Sequence, residues 1–199
     1  MKHLATLLLI AFLLVSPSSA TAQQPDSWVL IAEKLMNSTV RLGTGCSGFV
    51  IDTERKHVLT AAHCGAEENL VDGTPSIVLS KDADYDLLVL RVPDMEKPAL
   101  KLAKEEAKTG ELVASMGYGA SLEEPMFRSN VVSIGRVNIE SLKGQWVLFQ
   151  NPFVGGQSGG PVVNQAGDII SIVQMSNATT GIGRGVKLLK DKVGRFFQR

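Results

Sequence analysis

The chain is poor in cysteine and has no excess of charge of either sign. It contains two cysteines among 199 residues, and its 20 basic side chains balance 20 acidic ones, so the formal net charge is zero. This balance argues against nucleic acid or a membrane surface as a partner, because both attract basic patches. The three histidines show no ligand-like spacing, so neither a metal site nor another cofactor is predicted.

A hydrophobic run long enough to span a bilayer is also absent. The apolar stretch 4–15 is well short of the roughly 20 residues that a transmembrane helix needs. It follows a basic start at Lys2 and leads to the small residues Ala20 and Ala22, a pattern typical of a secretory signal peptide. We therefore predict cleavage after Ala22, a secreted or periplasmic location, and no stable membrane association of the mature chain.

The two cysteines, Cys46 and Cys64, would then mature in an oxidising compartment. An even count in such a compartment predicts one disulfide. The alternative is that one of the two is a reactive thiolate, which the count and the compartment disfavour. In the chain-entropy model, a loop of this size contributes about 3 kcal/mol to the free energy of unfolding.

Short β-rich runs dominate the chain between two helical ends. Trp28, Ile31 and Leu35 recur at helical spacing in the segment 27–36, and the segment 188–197 shows the same spacing. The predicted strands are bounded by Gly, Pro, Asp and Asn. They form a first series at 39–42, 48–51, 58–61, 76–79 and 87–92, and a second series at 112–116, 130–137, 146–149, 161–163, 169–173 and 185–188.

Two series of short strands predict an all-β fold of two six-stranded antiparallel β-barrels. A short N-terminal helix and a closing C-terminal helix complete the fold. The predicted organisation is a signal peptide at 1–22, a helical segment at 23–37, an N-terminal barrel at 38–104, and a C-terminal barrel with the closing helix at 105–199.

The most informative motif is GGQSGGP at 155–161. Glycines on both sides of Ser158 allow the backbone to fold tightly around one exposed hydroxyl, as a nucleophilic serine requires. The amides of Gly156 and Ser158 would then point at one spot and bind the oxyanion of a tetrahedral acyl intermediate. The competing interpretation is a glycine-rich turn with an incidental serine, and a base and an orienting group elsewhere would decide against it.

Two segments upstream of the serine offer these groups. His63 follows an apolar strand in TAAHC, and an imidazole can take up and return a proton near neutral pH. Asp86 adjoins the apolar run LLVLRV, so it is expected to be buried, where a histidine N–H would compensate its charge. Asp82 and Asp84 are expected to serve the preceding turn. A packed core histidine and a loop-capping aspartate are the alternative interpretations.

The three motifs together resemble a known family. TAAHC at 60–64, DLLVLRV at 86–92 and GQSGGP at 156–161 look like the motifs of chymotrypsin-like serine proteases of the PA clan, in the same order. The resemblance is closest to the HtrA-type branch of trypsin-like peptidases, and it extends over about 33 to 193.

The resemblance implies a double β-barrel with a catalytic triad in the cleft between the barrels. His63 would be the general base, Asp86 its orienting carboxylate and Ser158 the nucleophile, with Gly156 and Ser158 forming the oxyanion hole. It also implies that Ser171 hydrogen-bonds the catalytic aspartate. In the family, a disulfide corresponding to Cys46 and Cys64 lies beside the histidine.

Two departures from the family pattern bear on function. Gln157 stands where trypsin-like digestive enzymes have an aspartate, which argues against activation by a newly cut N-terminus. HtrA-type enzymes usually carry a PDZ domain after the protease, whereas this sequence ends at Arg199, which favours a stand-alone peptidase. The alternative is a catalytically silent homologue that acts as a binding or chaperone-like module. The oligomeric state is left open.

Family position also predicts the substrate pocket. Its base would lie near Pro152, and its walls near Val173 and Gly185. No acid stands at the base and Val173 would narrow the mouth, so we predict a secreted serine endopeptidase that cuts protein or peptide substrates after small or medium apolar residues. Arg184 is a rival determinant that would instead recruit an acidic residue.

Overall fold

The protein is represented by a computed structural model that describes residues 27–119, 122–133, 139 and 142–198. The predicted signal peptide at 1–22 lies outside these residues. Within the described ranges, no helix has both the length and the apolar character needed to cross a bilayer.

The first half of the described chain contains one helix and an antiparallel sheet. Helix α1 spans Ser27–Ser38, close to the predicted 27–36, and buries Ile31 and Leu35. The strands are β1 Thr39–Arg41, β2 Ser47–Asp52, β3 His57–Thr60, β4 Leu70–Val71, β5 Thr74–Pro75, β6 Ile77–Asp82 and β7 Leu87–Arg91. Five of them form a sheet in the order β1-β2-β3-β7-β6, and β4 pairs with β5 in a separate ribbon.

The second half forms a closed barrel. Its strands are β8 Leu112–Tyr118, β9 Pro125–Ser133, β10 Val147–Phe149, β11 Pro161–Val163, β12 Ile169–Ser176 and β13 Gly181–Gly185. They close in the order β10-β13-β12-β11-β8-β9. Val113, Phe149 and Val162 belong to the buried cluster of this half, and closure leaves no exposed sheet edge. The predicted six-stranded C-terminal barrel is therefore confirmed.

The N-terminal half is an open five-stranded sheet, and a second closed barrel stays a prediction. Strands β1 and β6 lie at the two edges. The ribbon β4–β5 lies beside the end of β1, since Leu42 bridges Val71 and Asp72 N donates to Arg41 O at 2.9 Å. Each strand of the ribbon has two residues, and the ribbon forms a sheet of its own and does not extend the five-stranded sheet.

A shared hydrophobic core joins the two halves. The same buried cluster contains residues of α1, of the sheet, of the barrel and of the helix α2, which spans Val186–Val193. Its members include Ile31, Leu35, Phe49, Leu59, Met116, Ile172, Leu189 and Val193. Each fully buried side chain of this size contributes about 1.5–3 kcal/mol, so separation of the halves would be costly. The core therefore holds the cleft between the halves in place.

One strand prediction is wrong and another extends beyond the described residues. The segment 185–188 is predicted as a strand, whereas β13 ends at Gly185 and α2 begins at Val186. A run of four residues such as GVKL cannot be assigned by periodicity alone, and here Val186, Leu189 and Val193 are buried on one helical face. Of the strand predicted at 130–137, β9 covers the part up to Ser133, and 134–137 lie outside the described residues.

Candidate active site

His63 and Asp86 meet at the junction of the two halves. His63 lies in a short 3-10 helix, Ala62–Cys64, directly after β3. Its backbone N donates to Asp86 Oδ1 at 2.8 Å, and its Nδ1 lies 2.8 Å from Asp86 Oδ2. Because a carboxylate can only accept, Nδ1 carries the proton and Nε2 is left as a free acceptor. One carboxylate therefore sets both the place of the ring and its tautomer.

The three aspartates of the turn before β7 have different surroundings. The Asp86 side chain is 6% exposed, whereas the Asp84 side chain is 58% exposed and pairs with Lys143 at 2.7 Å. Asp82 Oδ1 accepts from Tyr85 N at 3.2 Å within the turn. Of the three, Asp86 is the buried one. Its charge can be buried because the backbone N–H and the ring N–H of His63 both donate to it.

Ser158 lies in the same cleft. A cleft of about 610 Å³ is lined by His63, Asp86 and Ser158 together. The hydroxyl of Ser158 donates to Gln174 O at 3.0 Å and makes no hydrogen bond to His63 within the described residues. A serine side chain has three staggered positions, so rotation about χ1 is the movement that would turn this hydroxyl toward the free His63 Nε2.

The glycines around Ser158 are required by the backbone and by close packing. Gly156 has φ +94° and Gly159 has φ +83°, a region that other residues rarely adopt. A Cβ at Gly159 would also overlap Ser47 O and Thr60 Oγ1. In the described residues, the amides of Gly156 and Ser158 have no acceptor, so both donors are available to a ligand.

Ser47 holds the loop that carries these two amides, and the sequence interpretation missed it. Its hydroxyl donates to Gly156 O at 2.8 Å and accepts from Tyr118 N at 2.8 Å. Its backbone N donates to Ser158 O at 2.9 Å. Ser47 is fully buried, and the available sequence signal was a polar residue directly before the run GFVI at 48–51.

Ser171 does not contact Asp86, so its predicted placement is wrong. The Ser171 hydroxyl donates to Ile172 O at 3.3 Å. The residue of β12 that contacts Asp86 is Gln174, whose Nε2 donates to Asp86 O at 2.9 Å. Ser171 and Val173 point to one face of the strand and Gln174 to the other, because side chains alternate along a strand. A lone amide in the apolar strand IISIVQM was the signal for Gln174.

None of the three predicted pocket residues is among those that line the cleft with Ser158, and their role in a substrate pocket stays a prediction. Val173 is buried in the barrel core with Phe153, where its side chain faces other apolar groups. Gly185 lines a separate cavity beside Trp146. Pro152 is half-buried and accepts from Arg128 Nη1 at 3.2 Å through its carbonyl. Family position assigned these residues, and the strand register places two of them elsewhere.

Arg184 is not available to a substrate, and the rival prediction for it is wrong. Its side chain is fully buried, and its guanidinium carbon lies 3.3 Å from the centre of the Trp146 ring. Its Nε donates to Tyr85 O at 3.1 Å. Burial lowers the pKa of Arg184 to about 10, so the group is still charged at neutral pH.

The disulfide predicted between Cys46 and Cys64 is present, with a Cα–Cα distance of 5.8 Å. It ties the residue directly before β2 to the 3-10 helix that carries His63. The two sulfur atoms and a His63 nitrogen lie within 4.8 Å of one another. Because the sulfurs are bonded to each other, they are not thiolate ligands for a metal.

Comparisons with known sequences show similarity to a family of peptidases. The model of the trypsin-like peptidase domain matches residues 46–172. The mitochondrial serine protease HTRA2 of Drosophila pseudoobscura pseudoobscura is 28% identical over 172 residues, which cover 77% of this chain and 38% of that protein. A DegP-like protein of Pseudomonas fluorescens, named as a probable periplasmic serine endoprotease, is 27% identical over 148 residues, covering 70% and 31%. This chain spans less than two fifths of the length of both relatives.

Solved structures share the fold. The inactive form of the Rv3671c protease superposes with a TM-score of 0.72 at 23% identity, covering 86% of this chain and 96% of that one. The HtrA-type protease AlgW with a tripeptide superposes with a TM-score of 0.72 at 21% identity, covering 84% and 62%. Since the family model matches more than half of the sequence and these folds agree, the chain belongs to the trypsin-like peptidase family.

Proposed function

We propose that the protein is a serine endopeptidase that hydrolyses proteins or peptides through His63, Asp86 and Ser158. The observation that carries the proposal is the pair of 2.8 Å hydrogen bonds from His63 to Asp86, in a cleft that Ser158 also lines. This pair leaves His63 Nε2 free to accept a proton. A histidine oriented by a buried carboxylate beside a serine is the arrangement that activates a hydroxyl.

The reaction would be acyl transfer in two steps. Ser158 Oγ, turned away from Gln174 O, attacks the substrate carbonyl carbon and passes its proton to His63 Nε2. The tetrahedral intermediate collapses when His63 returns that proton to the leaving amine, so the C–N bond breaks and an ester to Ser158 remains. Water then passes a proton to His63 Nε2 and attacks the ester. The bond from the acyl carbon to Ser158 Oγ breaks, His63 returns the proton to Ser158 Oγ, and the acid is released. The free amides of Gly156 and Ser158 would stabilise the oxyanion in both steps.

Ser47→Ala is expected to lower kcat by up to about 10²-fold with little change in KM, because a shift of about 1 Å in a catalytic group has this effect. The substitution removes the hydroxyl that links Gly156 O to Tyr118 N, so the oxyanion donors lose their support. Steady-state kinetics on a peptide substrate give the two constants.

The matched control is Ser38→Ala. Ser38 is also fully buried, and its hydroxyl donates to Lys34 O at the end of α1, away from the cleft. The control should lose some stability and keep kcat. A Ser47→Ala enzyme with unchanged kcat would show that the backbone bonds of the loop suffice.

We further propose that the enzyme prefers small or medium apolar residues before the cut bond. The support is the packing ahead of Ser158. The Phe153 ring lies against Gly181, where a Cβ would come within 2.8 Å of Phe153 Cε2, and Phe153 N donates to Ser176 Oγ at 2.6 Å. The segment at Pro152 is therefore joined to the end of β12, and a wall held in this way would favour a small or medium side chain.

Two measurements test the proposed function. A fluorescent phosphonate should label the mature wild-type chain at Ser158 and fail to label Ser158→Ala. Incubation with an unfolded protein, followed by mass spectrometry of the products, should show cuts after Ala, Val or Leu. An unlabelled wild-type chain would favour the catalytically silent homologue, and a strong preference for cuts after Lys or Arg would refute the proposed specificity.

An extracytoplasmic location belongs to the same proposal. It is supported by the signal-like sequence at 1–22, by the disulfide Cys46–Cys64 and by the DegP-like relative named as periplasmic. We also infer that the sheet within 38–104 is the counterpart of the first barrel of this fold, and that 105–199 forms the lobe with the serine.

A further inference from the structure

The backbone at Asp86 has a conformation that needs support from outside its own turn. Asp86 has φ +57°, in the left-handed region that few residues other than glycine adopt. Such a residue persists when the surrounding structure determines it, and it occurs often at functional sites. The strained residue here is the one whose carboxylate binds His63, so its orientation depends on whatever holds this conformation.

Two side chains from the barrel hold the two peptide groups on either side of Asp86. Arg184 Nε donates to Tyr85 O at 3.1 Å, and Gln174 Nε2 donates to Asp86 O at 2.9 Å. The peptide plane that contains Tyr85 O defines φ of Asp86, and the plane that contains Asp86 O defines ψ. The two bonds therefore determine both soft dihedrals of the strained residue.

Both side chains are buried at a cost. Gln174 and Arg184 are 1% and 0% exposed, and each has a buried polar atom without a hydrogen-bond partner among the described residues, Gln174 Oε1 and Arg184 Nη2. No carboxylate lies within ion-pair distance of Arg184 in the described ranges. An apolar pair in these places would avoid the desolvation cost of an unpaired guanidinium and amide. Residues that break the rules of packing in this way commonly serve function.

The arginine itself is firmly oriented. Its guanidinium is stacked on Trp146 at 3.3 Å, and its Nη1 lies 3.4 Å from Gln145 O. Stacking and two carbonyl contacts hold the planar group in one position. Burial lowers the pKa of Arg184, and among the neighbouring charges the Asp86 carboxylate opposes this lowering most.

We propose that Gln174 and Arg184 are positioning residues that clamp the Asp86 turn from the opposite half of the molecule. The clamp spans β12 and β13 on one side and the turn before β7 on the other. It aligns the carboxylate with His63 only when the two halves are packed together. The same packing brings Ser158 into the cleft with His63, so one tertiary contact both orients the base and places the nucleophile. This inference rests on the proposed peptidase function for its kinetic test, and on the geometry alone for its spectroscopic test.

The test uses Gln174→Met and Arg184→Met in the full mature chain, which remove the donors and keep similar volume. Each should lower kcat by about ten- to a hundredfold, as a misplaced catalytic group does, and leave KM within about twofold. The low-field proton NMR signal of His63 Nδ1–H, which reports the bond to Asp86, should broaden or disappear. The unfolding midpoint is expected to change little, because the desolvation cost of the buried polar group is removed while its carbonyl partners lose a donor.

Matched controls show whether the effect depends on the place of the residue in the fold and on its hydrogen-bond donor. Gln150→Met and Arg91→Met change exposed residues of the same types and should keep kcat and the low-field signal. Arg184→Lys keeps the charge without the Nε–H donor, and it should stay as impaired as Arg184→Met. Full activity of Arg184→Lys would show that charge alone matters and would overturn the clamp.

The remaining outcomes are also decisive. Normal kcat and a normal His63 signal in both methionine variants, with or without a lower unfolding midpoint, would overturn the proposal. If Arg184→Met does not fold, Gln174→Met carries the same test, since it removes a single amide bond. If the wild type hydrolyses nothing, the proposed function fails, and the low-field signal still decides whether Gln174 and Arg184 align His63 with Asp86.

Discussion

Ser158→Ala should lower kcat for peptide hydrolysis by about 10⁶-fold, the loss typical when the nucleophile of a catalytic triad is removed. The residual rate would come from substrate binding and from the free amides of Gly156 and Ser158, which alanine at 158 retains. The fold should be unchanged, because the Ser158 hydroxyl makes one hydrogen bond, to Gln174 O, and its loss leaves a carbonyl that faces the cleft. Kinetics on a fluorogenic peptide, together with circular dichroism, measure both effects.

The control for this result is Ser129→Ala. Ser129 is an exposed serine on β9, so its replacement should leave kcat unchanged. If Ser158→Ala retained a tenth of the wild-type rate, the acyl-enzyme mechanism would be wrong, and a water-based or contaminating activity would have to be sought.

Asp86→Asn should lower kcat by about 10⁴-fold with little change in structure, as when a buried triad aspartate becomes asparagine. The carboxylate accepts from two donors, His63 N and His63 Nδ1–H. Asparagine has one acceptor oxygen, so its NH₂ group must face one of the two sites. If it faces the ring, Nδ1 becomes the acceptor and the proton moves to Nε2, where it blocks uptake of the proton from Ser158. The pH dependence of kcat and the His63 NMR signals would show the changed tautomer.

The matched control is Asp84→Asn, two residues away in the same turn. The Asp84 carboxylate is exposed and pairs with Lys143, and an exposed pair contributes about 0–1 kcal/mol. We expect kcat within about twofold of the wild type, since such surface pairs have small effects. Equal losses in the two variants would mean that Asp86 is not the orienting carboxylate.

Much of the site was predictable from local sequence patterns. The glycines of GQSGGP indicated a loop that only glycine can form, and the structure has φ +94° at Gly156 and φ +83° at Gly159. The choice of Asp86 over its neighbours followed from its place beside an apolar strand, because a residue that adjoins a buried strand tends to be buried with it. The disulfide followed from an even cysteine count and a signal-like N-terminus. The glycine loop and the burial of Asp86 depend on a few neighbouring residues, and the disulfide depends on the cysteine count and the compartment of the whole chain.

The pocket residues were not predictable in the same way. The structure places Val173 in the barrel core. Gly185 lines another cavity, and the guanidinium of Arg184 is stacked on the Trp146 ring. Proximity in sequence says little about direction, since a strand presents successive side chains to opposite faces. The segment 185–188 shows the same limit, because a run of four residues has no period that separates strand from helix.

The sequence by itself determined a strand-rich fold and the three groups that resemble a catalytic triad. Only the tertiary structure decided which residues support them. The pairing of β12 with β13 sets Ser171 opposite Gly185 and Val173 opposite Gly183, so these two side chains share one face of the strand and Gln174 lies on the other. Gln174 thereby reaches Asp86, and Ser171 stays inside the barrel. Register depends on how two distant strands pack, which is a property of the folded chain that no local pattern contains.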